Sequence, residues 1–118
     1  MVAKDKRLEG EMAVAEAIKV MSEHDRVIGE KLDVIIKENA PGLIPRTWYG
    51  FPAYGNENGK VVCFFRSSKK FGERYMTLGF NDLAMLDDGN LWPISYALKE
   101  LTNEEEMRIA DIVKKAVN

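Results

Sequence analysis

The side chains that most often carry covalent or metal chemistry are scarce in this sequence. It holds one histidine, His24, and one cysteine, Cys63. Zinc sites and facial triads draw on several histidines or cysteines, so neither is available in its usual form. A thiol nucleophile requires a lowered pKa and a base beside it. Cys63 instead stands inside the apolar run Val61-Val62-Cys63-Phe64-Phe65, where a cysteine behaves as a small hydrophobe. His24 falls near the start of a predicted helix, far along the chain from any other candidate group. There is no glycine-rich phosphate loop and no Gly-x-Ser-x-Gly turn. No catalytic residue is assigned, and the expectation is a domain that binds rather than an enzyme.

Two groups of residues could bind something. The first is aromatic and basic. Trp48, Tyr49, Phe51 and Tyr54 precede a turn, and Lys60, Arg66, Lys69, Lys70 and Arg74 lie on or beyond the strands that follow. Aromatic faces beside cations suit a planar or anionic ligand, held by stacking and charge-assisted hydrogen bonds. If residues 47–54 form one strand, alternation puts Trp48 and Tyr54 on one face and Tyr49 and Phe51 on the other. On that reading Trp48 and Tyr54 stack on a ligand, Lys60, Arg66, Lys69 and Lys70 hold its charge, and Tyr75 extends the surface. The competing reading makes the aromatics core and the cations a solvated turn. The second group is acidic: Asp82, Asp87 and Asp88 after the third strand, and Glu104 to Glu106 at the start of the last helix. Exposed carboxylates could hold iron weakly. However, Asp-Asp-Gly-Asn is ordinary turn chemistry, and first-turn glutamates complement a helix dipole.

These residues need elements to position them. A first helix is expected over about residues 4–21, with Leu8, Met12, Val14, Ile18 and Met21 as its apolar positions and Gly10 as a weak point. A second follows Ser22 as cap, with Asp25 in capping-box position. Its stripe is Ile28, Leu32, Ile35 and Ile36, and Pro41-Gly42 ends it. The aromatic segment reads as an extended strand, at an edge or bulge because of Pro52. A hairpin turn over residues 55–59 leads to the strand Lys60–Arg66. That strand is apolar on both faces, so its core side is either Val62 and Phe64 or Val61, Cys63 and Phe65. Arg74–Phe80 forms another strand, with Met76, Leu78 and Phe80 on one face. A short helical turn is expected over 81–86, and a last strand within 91–101. Thr102 and Glu105 form a capping box for a final helix carrying Ile109, Ile112, Val113, Ala116 and Val117. The fold class is therefore α+β: an antiparallel sheet of about four strands with N-terminal and C-terminal helices packed on one face.

Bulk properties narrow the partners. The chain has 118 residues, the size of a single domain, with 46% apolar and 31% charged side chains. Seventeen basic against nineteen acidic residues give a net charge of −2, which disfavours a general nucleic-acid binder. No stretch approaches the ~20 apolar residues of a membrane span. The charged residues 1–10 do not form a secretory signal. The lone cysteine fits a reducing compartment, so a cytoplasmic location is expected. The partner is then a small ligand or a protein segment, with no nucleic acid and no membrane, and the chain is a monomer or a homodimer.

Several motifs occur in a consistent order. They are Thr47-Trp48-Tyr49-Gly50-Phe51-Pro52-Ala53-Tyr54, Gly59-Lys60-Val61-Val62-Cys63-Phe64-Phe65, Lys69-Lys70-Phe71, Gly79-Phe80, Leu86-Asp87-Asp88-Gly89 and Leu91-Trp92-Pro93. From about Leu32 to the C-terminus they resemble the YdhG-like family, the domain of unknown function numbered 1801. The first helix lies outside the distinctive pattern. The resemblance implies an α+β fold with an antiparallel sheet. One branch of that family is described as frataxin-like iron chaperones that supply iron for iron–sulfur cluster and haem assembly. The family has no agreed catalytic motif, so the resemblance carries over no catalytic residue.

Overall fold

In the computed structural model, which describes residues 2–118, the chain runs as two helices, a five-stranded meander and a third helix. The helices are α1 (Val2–Lys19), α2 (Glu23–Asn39) and α3 (Asn103–Ala116). The strands are β1 (Ile44–Trp48), β2 (Phe51–Gly55), β3 (Val61–Arg66), β4 (Met76–Phe80) and β5 (Ser95–Leu98). They form one antiparallel sheet in the order β1-β2-β3-β4-β5. A 3-10 turn, Lys69–Phe71, lies in the β3–β4 connection.

The sheet has five strands rather than about four because residues 47–54 are not one strand. Tyr49 and Gly50 both have positive φ, +52° and +82°, the pattern of a tight two-residue hairpin turn. The chain reverses there, and Trp48 pairs directly with Phe51. This reversal resets the alternation. Trp48 and Phe51 share a face, and Tyr54 takes the opposite one. Pro52 accordingly lies in an internal strand, not at an edge. It sits opposite Thr47, just before the β2–β3 ladder opens at Ala53, so its missing N–H breaks no bond to β3. The bulge falls later, at Tyr54/Gly55.

The core lies between one sheet face and the helices. Tyr54, Cys63, Phe65, Met76, Leu78 and Phe80 meet Val14, Ile18, Ile28, Leu32, Ile36, Ile109 and Val113. On β3 it is thus Cys63 and Phe65 that point to the helices. Phe64 is only half-buried and belongs to the other face. Val62, the extra β3 residue of the bulge opposite Tyr54/Gly55, is buried in the core as well. On α2 the expected stripe of Ile28, Leu32, Ile35 and Ile36 is buried. On α1 the buried stripe is Gly10, Val14 and Ile18, at i, i+4 and i+8, while Leu8 and Met12 are exposed. Residues 81–86 form a turn closed by an Ala84 N–H to Asn81 carbonyl bond of 3.0 Å, not a helix. Thr102 and Glu105 form the expected capping box on α3, and the Thr102 N–H donates to Glu105 Oε1 at 2.7 Å.

Gly10, a weakness for a helix on propensity alone, is the point where α1 touches β1. A Cβ there would stand 1.8 Å from the Pro45 carbonyl oxygen. Only a glycine lets helix and strand backbones approach so closely. Gly10→Ala is therefore expected to destabilise the fold by about 1–3 kcal/mol, the cost of overpacking a tight contact. Alanine is the better helix former by about 1 kcal/mol, so the sign of the change decides the matter. Chemical denaturation showing a stabilised Gly10→Ala variant would refute the close contact.

Candidate functional site

The sheet face away from the helices carries a continuous aromatic layer. Trp48 on β1, Phe51 on β2 and Phe64 on β3 stand side by side, with ring centroids 5.8 Å (Trp48–Phe51), 5.2 Å (Trp48–Phe64) and 5.4 Å (Phe51–Phe64) apart. The Phe64 ring lies on Gly79 of β4. A Cβ on Gly79 would meet that ring at 2.3 Å, so the glycine makes the bed in which the ring rests. Tyr49, at the tip of the β1–β2 turn, extends the layer 4.9 Å from Trp48 and is 80% exposed. Its left-handed backbone is sterically costly for an aromatic residue, a kind of strain that clusters at binding sites. Phe71, from the β3–β4 connection, meets Phe51 edge-on at 6.2 Å.

Cations line one end of this layer. The Arg66 guanidinium sits over the Phe71 ring at 4.9 Å and pairs with Glu73 at 3.3 Å. Lys70 Nζ is 5.9 Å from the same ring. The Arg74 guanidinium lies 5.5 Å from the ring of Tyr75. Of the residues expected to bind, Trp48, Tyr49, Arg66, Lys69, Lys70 and Tyr75 gather at or beside this end of the sheet. Tyr54 does not. It is fully buried on the helix side, and its hydroxyl donates to Asp33 Oδ1 at 2.7 Å. Burial, followed by the Asp33 charge, pushes its pKa well up. Lys60 does not join the group either. It lies in the β2–β3 turn, at the opposite end of β2 from Phe51, where its N–H donates to Asn56 Oδ1. Phe64 and Phe71 were not expected in the site. The signal for Phe64 was its cross-strand glycine, and for Phe71 its place as a lone aromatic in a basic turn.

A buried carboxylate holds the cationic segment in place. Asp25, in the first turn of α2, is 0% exposed. Its Oδ2 accepts from the Ser68 N–H at 2.8 Å and the Lys69 N–H at 3.4 Å, and the Ser68 hydroxyl donates to the same carboxylate at 2.8 Å. It therefore caps the β3–β4 connection, and the expected box with Ser22 is not made. Ser22 occupies the N-cap position without a side-chain cap bond. On the other side, His24 Nδ1 lies 3.0 Å from Asp25 Oδ1, and its Nε2 lies 3.0 Å from Glu100 Oε2. Burial alone would raise the Asp25 pKa, but the hydrogen bonds from His24, Ser68 and the Lys69 amide outweigh it and hold the pKa below the ordinary carboxylate value. The order Ser68–Asp25–His24 is no catalytic triad. The carboxylate stands between hydroxyl and imidazole, so the imidazole cannot take the serine proton. Cys63 is no nucleophile: burial pushes its thiol up to about 12, so it stays protonated at neutral pH.

Asp82, Asp87 and Asp88 are exposed. Among the described residues no three His, Cys, Asp or Glu side chains stand close enough together to hold a metal ion. Nor is any helix among them long and apolar enough to cross a membrane.

Two measurements probe the clamp. Asp25→Ala strands two N–H groups and a hydroxyl, and is expected to destabilise the fold by about 2–4 kcal/mol in chemical denaturation. A loss below about 1 kcal/mol would mean the carboxylate is incidental. The bonds to Asp25, and then to Glu100, raise the His24 pKa above its ordinary value. A raised folded-state pKa stabilises fully below the unfolded value of about 6.5, and that stabilisation is lost as pH rises through the folded value. The melting temperature should therefore fall as pH rises from about 6 to 8, and His24→Gln should flatten that slope. Equal slopes in the two proteins would dismiss the imidazole as the cause.

Comparisons with protein-family models, with curated proteins and with solved structures return no match for this chain.

Proposed function

We propose that this is an intracellular binding domain of the YdhG-like kind, taking a planar anionic ligand or a partner segment on its open, aromatic and basic sheet face. The observation that carries the proposal is the layer of Trp48, Phe51 and Phe64 on the face away from the helices, ending at Arg66, Phe71 and Lys70. Aromatic rings normally stabilise a fold by burial in its core. Here a second aromatic cluster lies outside the core that already holds Tyr54, Phe65 and Phe80. Stacking on Trp48 and Tyr49 supplies affinity with little entropy to lose, since both side chains have few rotatable bonds. The cations at one end set the polarity of what binds. The motif run from Thr47 to Pro93 and the antiparallel α+β fold support the family reading. The lone buried Cys63 supports a reducing compartment. The iron-chaperone alternative rests on the family resemblance alone, because the exposed aspartates form no cluster.

The test uses Trp48 as its own reporter. The chain has two tryptophans, so Trp92→Phe leaves Trp48 as the single emitter. Titration with flavin mononucleotide, adenosine monophosphate and an unstructured acidic peptide is expected to quench that emission saturably for at least one of them, at or below about 1 mM. Trp48→Ala should then remove the binding heat of that probe while the melting temperature stays within a few degrees. Silence from all three probes, or undiminished heat in Trp48→Ala, rejects the face as the binding surface.

A further inference from the structure

At the cationic end of the open face, the surface deepens into a cavity of about 300 Å³. Three separate parts of the chain wall it: the end of α1 with the α1–α2 turn, the β1–β2 turn, and the β3–β4 connection. Its apolar lining comes from Met21, Phe51 and Phe71, and its polar lining from Ser22, Lys69 and Lys70. The Phe51 and Phe71 rings meet edge-on, at 73° between planes, and together give the cavity an aromatic wall against which a further ring can pack. Lys70 Nζ stands over the β1–β2 turn, 3.4 Å from the site of a Gly50 Cβ. Among the described residues, neither Lys69 nor Lys70 has a carboxylate within ion-pairing distance, whereas Lys31, Lys37 and Arg66 do.

The geometry points to a binding pocket for a small aromatic anion, a single aryl ring bearing a carboxylate or phosphate. The ring packs against the aromatic wall of Phe51 and Phe71, and the anionic group faces Lys69 and Lys70. Size sets the limit. About 300 Å³ is the lower end of ligand-cavity volumes, which suits one ring and its charged group and excludes a dinucleotide. This inference rests on the proposed face as a binding surface and names what its deep end takes.

The test is a heteronuclear NMR titration of the full, isotope-labelled chain with benzoate and phenyl phosphate, alongside benzyl alcohol and inorganic phosphate. Saturable shifts of the Ser22, Gly50 and Lys70 amides are expected with one or both aryl anions, at dissociation constants of about 1 mM or below. Benzyl alcohol and inorganic phosphate should each bind about tenfold more weakly, because each lacks half of the recognition. Replacing both lysines, Lys69→Gln with Lys70→Gln, should weaken the aryl anions about tenfold without moving the melting temperature. Ala17→Leu, which fills the α1 side of the cavity, should abolish binding. Inorganic phosphate binding as well as phenyl phosphate would overturn the pocket, leaving only surface charge. Shifts confined to the Trp48 and Phe64 amides would also overturn it, with the face itself still standing. No saturable shift anywhere up to about 10 mM would remove the pocket and count against the face as well.

Discussion

The arrangement of this domain turns on one buried carboxylate. Asp25 has no solvent contact, and a charge in that position is tolerated only if its oxygens are fully occupied. The occupants are the Ser68 amide and hydroxyl and the Lys69 amide on one side, and the His24 imidazole on the other. Those bonds fix the β3–β4 connection to the start of α2. The connection carries Lys69, Lys70 and Phe71, and without an anchor a loop rich in lysine would have little reason to lie against apolar surface. Phe71 then reaches Phe51, and Lys70 reaches the β1–β2 turn. The cationic end of the sheet is thus assembled by a polar interaction at the opposite side of the loop.

The second constraint is that the helices leave one face of the sheet bare. All three pack against the face that holds Tyr54, Cys63, Phe65, Leu78 and Phe80. A sheet of this kind usually alternates apolar and polar residues. β4 does so on its outer face with Thr77 and Gly79, and β5 with Ser95 and Ala97. The rule breaks where β1, β2 and β3 meet: Trp48, Phe51 and Phe64 are outward and aromatic. Gly79 accommodates the break by leaving room for the Phe64 ring. Such a local departure from an otherwise regular pattern is the place to look for function.

Much of this was legible in the chain, and the failures have physical reasons. The α2 stripe, the α3 capping box and the apolar face of β4 follow from periodicity and end chemistry, and they formed as the residues dictate. The β1–β2 hairpin was hidden because its turn is Tyr-Gly. A tyrosine with positive φ is not a pattern that composition announces, and one missed turn inverted the facing of Tyr54 relative to Trp48. The two faces of β3 could not be separated from its own sequence, since five successive residues are apolar. Only pairing with Gly79 and Leu78 settles which side Phe64 takes. Asp25 sat correctly for a capping box, yet a tertiary partner 43 residues away outcompeted the local bond. Lys69, Lys70 and Arg66 were legible as a cationic group, but not the cavity beside them, because its walls come from three separate parts of the chain.

The strand order has a consequence for how the chain reaches this state. Every strand pairs with its neighbour in sequence, so the sheet can zip up through short loop closures, each with a small entropic cost. The Asp25–Ser68 clamp is different, because it joins α2 to a connection on the far side of two hairpin turns. Assembly of the meander shortens that distance before the clamp has to close. The strand pairing and the aromatic layer on it therefore belong to the early, local part of folding. The ordered lysine segment belongs to its end, and should be the first part to open again when native molecules fluctuate.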